Sequence, residues 1–396
     1  MLKNFIKRIT PKPLLSFYHY CLAFLGALIY GFPSKKIIVI GVTGTSGKST
    51  VVELVSKIFE TAGFKVASLS SLRFKIGEKE EENKLKMTMP GRFKIQKFLK
   101  QAVKAGCKFA ILEVTSEGIK QHRHKFINFK TAVLTNLTPE HIESHGGFEN
   151  YKKAKAKLFK ACSKTHIINL DDKNAEYFWQ IKAEEKIGYS LKEIFKFIPE
   201  KTNLIGEFNL YNALTAVKIA LSQGISQSKC EKALKEFKGM PGRLEIIAEK
   251  PFKVVVDYAH TPEQLKNVYQ ALNSQNLICV LGSCGGGRDK WKRPVMGKIA
   301  QKYCKKVIIT NEDPYNEDPM DIINQVAGNT GAEKILDRKE AIKKAIQAAG
   351  SEDTVIITGK GSEPWMCVAE GKKIPWDDRK IVREKLAQLN LPHTAI

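Results

Sequence analysis

The segment GVTGTSGKST at residues 41–50 has the residue types of a phosphate-binding loop. It follows a β-branched run, and glycines at such a strand end let successive backbone N–H groups point at phosphate oxygens. Lys48 would reach the terminal phosphates of a nucleotide, and the Ser49 hydroxyl would hold Mg²⁺. Because the usual spacing puts a glycine where this chain has Val42, the sequence predicts a variant of this loop.

Two polar segments follow later strand patterns in the first half of the chain. EVTSEGIKQHR (113–123) begins at Glu113, and a carboxylate at a strand end beside a phosphate loop suits a metal ligand. From spacing alone, Glu113 is either such a ligand or a plain strand-end acid. TNLTPEHIESHGGFENYKKAKAKLF (135–159) contains His141 and a lysine-rich helix pattern. From spacing alone, these are a loop histidine and a solvated helix face.

The second half of the chain adds polar segments rich in Gly, Asp, Asn and Arg, several of them directly after strand patterns. They are LIGEFNLYNALTA (204–216), PGRLE (241–245), VDYAHTPEQL (256–265), GSCGGGRDKWKRPVMG (282–297), TNEDPYNEDP (310–319) and ITGKGSE (357–363). Ligand sites of open α/β sheets lie at the carboxyl ends of their strands. The recurrence of such segments at that edge therefore indicates a binding site.

The elements that must position these residues alternate between strand and helix patterns. Short β-branched runs such as KIIVIGV (36–42) and KVVVDYA (253–259) are typical of buried parallel strands. The pattern predicts an α/β protein with two domains. We expect a central domain with a mostly parallel sheet of the P-loop type over 36–240, and a Rossmann-like α/β domain over 241–396.

The first 35 residues form a separate apolar segment around FYHYCLAFLGALIYGF (17–32). Basic residues flank this run on both sides: Lys3, Lys7, Arg8 and Lys12 before it, Lys35 and Lys36 after it. The run is short for a membrane-spanning helix. Two alternatives stay open, namely a helix packed on the protein and a helix in contact with a membrane, and full spanning is the smaller part of the second. We expect a cytoplasmic protein, and the second alternative adds membrane-surface contact through residues 1–34.

Composition narrows the classes of partner. The chain has 65 Lys and Arg against 41 Asp and Glu, a net charge of +24, which suits anionic ligands such as nucleotides. The lysines are spread along the chain and no basic face with interleaved aromatics is found, so nucleic-acid binding is not predicted. Eight cysteines without CxxC or Cys/His ligand spacing predict reduced thiols, neither a disulfide framework nor a zinc site.

Taken together, these motifs resemble those of the Mur ligase family, and they recur in the family's order over residues 36–390. The motifs are TGTSGKS, EVTSEGIKQHR, TNLTPEH, GEFNLYN, MPGRLE, VDYAHTPE, GGGRD, DPYNEDP and GKGSE. The resemblance is closest to the branch that adds the third residue to the peptidoglycan stem peptide. It implies an ATP-dependent ligase that joins an amino acid to a muramoyl-peptide precursor through an acyl phosphate.

The resemblance also implies roles residue by residue. For binding of ATP phosphates and Mg²⁺ it implies Gly44, Thr45, Gly47, Lys48, Ser49 and Thr50. For metal binding it implies Ser49, Glu113, His141 and Lys155, with Lys48, Lys155 and His141 as the catalytic residues. Lys155 would act as its CO₂ adduct, a carbamate, since a bare ammonium repels Mg²⁺. For nucleotide contacts it implies Asn136, Asn209, Asn212, Arg243 and Asp257. For the muramoyl peptide it implies Thr88, Thr115, Gln121 and Arg123, and for the incoming amino acid Arg288, Asp313, Gly359 and Glu363.

Three departures from the family's pattern matter. The family's N-terminal domain, which holds the UDP moiety, is replaced by the short apolar segment before Lys35, and this leaves UDP recognition open. Ser362 stands where a histidine is usual. The motif Asp-Asn-Pro-Arg of the enzymes that use meso-diaminopimelate reads EDPY (312–315) here.

The last departure bears on the amino acid. Arginine pairs bidentately with a distal carboxylate, whereas Tyr315 carries no charge. Because the acids of the EDPYNED segment (312–318) suit an ammonium, we expect L-lysine or a similar diamino acid rather than meso-diaminopimelate. The alternative is that these acids cap the next helix and that Arg288 alone anchors the α-carboxylate.

Two other functions remain compatible with parts of the sequence. One is a related ligase of the folylpolyglutamate or cyanophycin type, against which EVTSEGIKQHR and DPYNEDP argue. The other is a basic nucleotide-binding or nucleic-acid-associated ATPase, which would need the basic, aromatic-rich face that the sequence lacks.

Overall fold

The computed structural model describes residues 11–85, 87–272 and 275–392. Of the basic residues that precede the apolar run, Lys3, Lys7 and Arg8 lie outside the described residues. The chain divides into two compact units. The first comprises Met1–Pro139, Gly147–Thr202 and Phe208–Phe237, and the second comprises Glu140–Gly146, Asn203–Glu207 and Lys238–Ile396. The expected domain boundary at residue 240 stays a prediction.

The strands of the first unit form one sheet. They are β1 (Ile38–Thr43), β2 (Val66–Leu69), β3 (Arg73–Ile76), β4 (Lys79–Glu82), β5 (Phe109–Glu113), β6 (Phe129–Leu134), β7 (Thr165–Asn169) and β8 (Glu185–Tyr189). Among the described residues the order of the eight strands is β4-β3-β2-β5-β1-β6-β7-β8. All neighbours pair in parallel except β3, which is antiparallel to both β2 and β4.

The strands of the second unit form a second sheet and a short ribbon. They are β9 (Glu245–Ala248), β10 (Lys253–Val256), β11 (Leu277–Leu281), β12 (Lys306–Thr310), β13 (Glu333–Ile335), β14 (Thr354–Ile357), β15 (Trp365–Cys367) and β16 (Lys373–Pro375). The six-stranded sheet has the order β13-β12-β11-β14-β10-β9, in which only β9 is antiparallel to its neighbour. β15 and β16 pair as an antiparallel ribbon.

Helices separate most of these strands. In chain order they are α1 (Lys12–Ile29), α2 (Lys48–Thr61), α3 (Arg92–Lys104), α4 (Ser116–Lys120), α5 (Ile142–His145), α6 (Phe148–Lys160), α7 (Ala175–Trp179), α8 (Ile194–Phe197), α9 (Glu207–Ser222), α10 (Gln227–Lys235), α11 (Pro262–Leu272), α12 (Lys292–Tyr303), α13 (Pro319–Ala327), α14 (Arg338–Gln347) and α15 (Asp378–Gln388). Short 3-10 turns occupy Pro33–Lys35, Leu191–Glu193 and Ala369–Gly371.

Each sheet has its own apolar core, because strands buried on both faces are apolar at successive positions. In the first unit, Val39, Ala110 and Ala132 belong to one buried cluster. In the second unit, Val254 and Ile357 do the same. The α/β class, with a large mostly parallel sheet and a second sheet domain, is confirmed.

The register of each sheet brings the polar segments of that unit to one edge. In the first unit Val42 of β1 pairs with Glu113 of β5, and Thr43 pairs with Leu134 of β6. The phosphate-binding loop, Glu113 and the segment after β6 therefore emerge side by side. In the second unit Ile357 of β14 pairs with both neighbouring strands, so the loops after β10, β11 and β14 share an edge.

Helix α1 packs on α3, which is one of the two alternatives expected for the apolar segment. Within the described ranges, no helix combines the length and the hydropathy needed to cross a membrane.

Candidate active site

The loop between β1 and α2 has the conformation that its glycines allow. Gly44 has a φ of +156° and Gly47 a φ of +78°, values that side chains rarely adopt. A Cβ atom on Gly44 would also collide with the Thr135 hydroxyl, and one on Gly47 with the side-chain oxygen of Asn212. Both glycines are therefore required by conformation and by space. Asn212, which also donates to Asn209 at 3.2 Å, lies against the loop.

Lys48 is the first residue of α2 and folds back over the loop. Its Nζ donates to the carbonyl oxygens of Gly44 at 3.1 Å and Thr45 at 2.9 Å, and lies 4.0 Å from Oε1 of Glu113. The side chain is 15% exposed. A cation held at the loop mouth, with backbone N–H groups beside it, is suited to phosphate oxygens.

Glu113, at the end of β5, accepts from one hydroxyl group and one backbone N–H group. Its Oε2 accepts from the Ser49 hydroxyl at 2.8 Å and from the backbone N–H of Ser71 at 2.9 Å. The hydroxyl oxygens of Ser49 and Ser71 are 2.7 Å apart. Carboxylate and hydroxyl oxygens are ligands that Mg²⁺ prefers in proteins, so this donor set fits the metal. Across the described residues, no group of three or more His, Cys, Asp or Glu could hold a metal by itself. Ligands beyond Ser49 and Glu113, such as phosphate oxygens and water, would complete the coordination.

Ser71 was not singled out from the sequence. It follows β2, which is the neighbour of β5 in the sheet, and that adjacency is a property of strand order. The only signal in the sequence is a pair of serines after a short apolar run.

Asn136, expected to contact the nucleotide, supports the loop in this structure. Its side-chain oxygen accepts from the backbone N–H groups of Thr45 at 3.2 Å and Ser46 at 2.9 Å. The Thr45 hydroxyl lies 3.1 Å from the Tyr151 hydroxyl of α6. Thr50, in the first turn of α2, is buried.

Lys155 lies under the same loop. Its side chain is buried in α6, and Nζ donates to the carbonyl oxygen of Gly44 at 2.6 Å. The sequence alternative, in which Lys155 is part of a solvated helix face, is therefore wrong for this residue. It holds for Lys153 and Lys157 of the same helix, which are exposed.

The residues expected to hold the muramoyl peptide come together around α4. The Thr115 hydroxyl caps this helix by accepting from the N–H of Gly118 at 3.1 Å. Arg123 donates to the side-chain oxygen of Gln121 at 2.8 Å and to the backbone oxygen of Met89. The second contact brings Arg123 beside the segment that carries Thr88, which is half-buried.

In the second unit, Asp257 follows β10 and organises its loop. Its carboxylate accepts from the N–H groups of Leu244 at 2.7 Å and Ala259 at 2.6 Å. Burial raises the pKa of Asp257, although the charge of Arg243 opposes the shift. The Arg243 guanidinium stacks over the ring of Tyr258, 4.1 Å from its centroid.

His141 belongs to the second unit, whereas Ser49, Glu113 and Lys155 belong to the first. Its Nε2 is 3.9 Å from Oε1 of Glu140, which also lies 3.4 Å from Nε2 of His260. Burial alone would raise the pKa of Glu140, but the hydrogen bond from His260 and the nearby positive charges hold it well below its usual range.

Most residues expected around the incoming amino acid also lie in the second unit's strand-end loops. Asp313 follows β12, and its carboxylate lies 3.0 Å from Nζ of Lys360 and accepts from the N–H of Cys367 at 2.6 Å. Lys360 is fully buried and also pairs with Glu363. Glu363 accepts from the Tyr258 hydroxyl at 3.2 Å.

Two other positions complete this region. Gly359 has a φ of +110°, and a Cβ atom there would collide with the carboxylate of Glu312. Arg288 is exposed beside the glycine turn, and its backbone N–H donates to Gly285. Lys360 was not predicted as a site residue, because a lysine between two glycines gives no signal in the sequence that it is buried.

Comparison with known proteins identifies the class. Residues 42–196 match the Mur ligase middle domain, and residues 242–361 match the Mur ligase glutamate ligase domain. The UDP-N-acetylmuramoyl-L-alanyl-D-glutamate--2,6-diaminopimelate ligase of Syntrophomonas wolfei is 37% identical in an alignment that covers 92% of this chain and 81% of the relative. A ligase of the same name from Clostridium acetobutylicum is 36% identical over 93% of this chain and 82% of its own length. The chain belongs to the Mur ligase family.

Solved structures agree with this assignment. A UDP-N-acetylmuramoyl-L-alanyl-D-glutamate--2,6-diaminopimelate ligase covers 90% of this chain and 79% of its own, with a TM-score of 0.59 and 29% identity. A folylpolyglutamate synthase of Mycobacterium tuberculosis, complexed with ADP and AMPPCP, has a TM-score of 0.69 over 86% of this chain at 15% identity, which shows a shared fold alone. The protein is an ATP-dependent ligase that forms an amide bond in peptidoglycan synthesis, and the predicted enzyme class is confirmed.

Proposed function

We propose that this ligase adds the third residue to a muramoyl dipeptide, with ATP as the source of energy and the dipeptide carboxylate as the acceptor. The observation that carries the proposal is the position of Glu113 at the phosphate-binding loop, where its carboxylate lies 4.0 Å from Nζ of Lys48 and 2.8 Å from the Ser49 hydroxyl. The S. wolfei relative is named for an L-alanyl-D-glutamate acceptor and a diamino acid. That name supports the same type of substrate here.

In the proposed reaction, the acceptor carboxylate attacks the γ-phosphate of ATP, giving an acyl phosphate and ADP. The amine of the incoming amino acid then attacks the acyl carbon, and inorganic phosphate leaves. Lys48 stabilises the charge of the transferring phosphoryl group, which is the dominant requirement of this chemistry. Asn136 holds the loop in place by accepting from the backbone N–H groups of Thr45 and Ser46.

Ser49 and Glu113 would hold Mg²⁺, which when bound neutralises phosphate charge. The further ligand roles of Lys155 and His141 are part of the proposal. The burial of Lys155 and its contact with the loop support a place for Lys155 next to the phosphates. Carbamylation would convert its ammonium into anionic oxygens, which suit a hard divalent cation.

The identity of the amino acid is the finer part of the proposal. The curated relatives are named for 2,6-diaminopimelate, whereas the loop of this chain carries Tyr315 in place of the motif arginine. Most acids of the loop are already engaged: Asp313 with Lys360, and Glu317 with Lys290 and Arg293.

Asp318 caps α13 by accepting from the N–H of Asp321 at 3.0 Å, which agrees with the capping alternative for this residue. Glu312 remains. It is buried, and its Oε2 has no hydrogen-bond partner among the described residues. We propose that Glu312 receives the side-chain ammonium of L-lysine or of a similar diamino acid.

Phosphate release tests this assignment, measured with L-lysine and meso-diaminopimelate in competition and with UDP-linked and UDP-free muramoyl dipeptides as acceptors. We expect kcat/KM to favour L-lysine, and Glu312→Gln to reduce that preference. A kcat/KM in favour of meso-diaminopimelate would show that the charge argument is wrong. Failure of both amino acids with every muramoyl acceptor would contradict the proposed reaction itself.

Contact with a membrane surface through residues 1–34 stays a separate proposal. The names of the relatives do not bear on it. Of this range, the structure describes residues 11–34.

A further inference from the structure

Helix α1 exposes an apolar stripe on the side that faces away from the protein. The stripe consists of side chains at intervals of three and four residues, the spacing of one helix face. Its members are Leu14, Phe17, Tyr18, Cys21, Leu25, Leu28 and Ile29. All are exposed, and the six large ones have 43–65% of their surface accessible. An apolar face of this length marks an interaction surface, because isolated exposed apolar residues do not line up over four turns.

The rotation of α1 is fixed by its opposite face. Ala23 and Ala27 are buried, and a Cβ atom on Gly26 would meet the Cα of Phe93 at 3.5 Å. Small residues thus allow α1 to approach α3 closely. The Ser16 hydroxyl also lies 2.7 Å from a ring nitrogen of His122. The stripe is therefore the face left over after the helix has packed.

Aromatic contacts hold the same orientation. The rings of Tyr20 and Phe24 lie edge-on to Phe126, with centroids 5.1 and 5.3 Å apart. Turning the stripe inward would break these contacts and place Leu and Phe side chains where Ala23 and Gly26 now fit.

The charged residues that flank the stripe in the sequence indicate what kind of partner binds it. From Pro13 to Ser34 the chain has no Asp, Glu, Lys or Arg, and the first acidic residue of the whole sequence is Glu53. Lys35 and Lys36 follow the apolar run and are exposed. The stripe is therefore uncharged, basic residues flank it in the sequence, and no acidic residue lies near it in the sequence.

We propose that the stripe of α1 lies in the surface of a bilayer that contains anionic lipids, with the helix axis parallel to the membrane. An 18-residue helix is about 27 Å long, and in this orientation its apolar face enters the acyl boundary while the flanking lysines meet lipid phosphates. A second copy of the chain is a poorer occupant, because pairing identical faces would bring like charges together. The stripe does not overlap the catalytic loops, so membrane binding and catalysis are separable.

The test is co-sedimentation of the full chain with vesicles of phosphatidylcholine alone and of phosphatidylcholine with phosphatidylglycerol. We expect binding to the anionic vesicles that weakens as salt is added. The triple variant Phe17→Gln, Leu25→Gln and Leu28→Gln replaces three exposed stripe residues and leaves the buried Ala23 and Ala27 unchanged. It should bind at least about tenfold more weakly. The matched control replaces three exposed apolar residues elsewhere, Phe195→Gln, Leu336→Gln and Ile374→Gln, and should bind like the wild type.

Two further readouts separate the outcomes. Cys21 is exposed within the stripe and can carry a fluorophore. The emission of this fluorophore should shift to shorter wavelength when anionic vesicles are added, as expected for entry into an apolar phase. Amino-acid-dependent phosphate release in solution should be equal in the wild type and both triple variants. Absence of vesicle binding by the wild type, or equal binding by the stripe variant, would overturn the proposal. If the wild type is a dimer without vesicles and the stripe variant is a monomer, the proposal would be overturned and the stripe would instead bind a second copy of the chain.

Discussion

Nζ of Lys155 lies 2.6 Å from the carbonyl oxygen of Gly44, so a lysine of helix α6 donates a hydrogen bond to the phosphate-binding loop. The side chain is 1% exposed, and Nζ is 4.5 Å from the centre of the Tyr151 ring. An ammonium in this place supports the loop, whereas its carbamate would offer oxygens to a metal. The two roles have different consequences for a variant that lacks the amine.

The first prediction concerns that variant. Lys155→Ala should be nearly inactive in amino-acid-dependent phosphate release, and short carboxylic acids such as acetate should partly restore activity, since a small carboxylate can occupy the vacated space. Lys153→Ala, an exposed lysine of the same helix, serves as the control and should resemble the wild type. Wild-type activity in Lys155→Ala would remove the metal-ligand role. Loss of activity that no short carboxylic acid restores would indicate that Lys155 supports the loop and does not bind the metal.

The second prediction concerns Lys48. Its Nζ is held by the carbonyl oxygens of Gly44 and Thr45, in position to exchange these partners for phosphate oxygens. Lys48→Ala should lower kcat by on the order of hundredfold or more, because a preorganised charge is lost where charge develops. Lys57→Ala is the control, since Lys57 lies on the same helix and pairs with Glu236 at 3.1 Å. Turnover within about threefold of the wild type in Lys48→Ala would contradict the assignment.

Local patterns in the sequence were sufficient for much of the fold and for part of the site. The β-branched run of β1 and the ten residues after Ile40 predict a strand, a loop and a helix, because these depend on consecutive residues. Contacts between side chains on different strands could not be predicted in this way, because they depend on the order of the strands in the sheet. Ser71 reaches Glu113 only because β2 and β5 are neighbours, and the burial of Lys155 depends on which face of α6 meets the loop.

The charge around the expected binding site of the incoming amino acid could also be predicted only in part. The acidic character of residues 312–318 is visible in the sequence, but its neutralisation is not. Lys360, which compensates Asp313, is 47 positions away in the chain, and Arg293, which pairs with Glu317, is 24 positions away. Counting charges within a loop therefore overestimates the field that a substrate meets.

The third prediction concerns Lys360, a buried ammonium between Asp313 and Glu363. Burial alone would lower the pKa of Lys360, but the two carboxylates outweigh it and the net pKa lies above its ordinary value. Lys360→Met leaves these acids uncompensated and should cost roughly 3 kcal/mol of the free energy of unfolding. Adding Asp313→Asn should recover part of the loss. Denaturant unfolding checks both variants, and an additive or larger loss in the double variant would contradict the pairing.

The fourth prediction concerns His124, which is 1% exposed and has neither ring nitrogen hydrogen-bonded within the described residues. Burial, and then the positive charges of Lys125, His122 and Lys157, lower its pKa to about 3. Between pH 6.5 and about 3 the unfolded chain therefore binds a proton that the folded chain excludes, so stability falls as the pH falls through this window. At pH 4 the difference of 2.5 pH units from 6.5 corresponds to about 3 kcal/mol.

His124→Phe should remove this penalty, so its free energy of unfolding relative to the wild type should rise by about that amount between pH 7.5 and pH 4. Urea unfolding at both pH values measures the change, and comparison with the wild type cancels the acid sensitivity of all other groups. A relative stability that is the same at pH 7.5 and pH 4 would show that the imidazole is protonated, or solvated, in the folded protein.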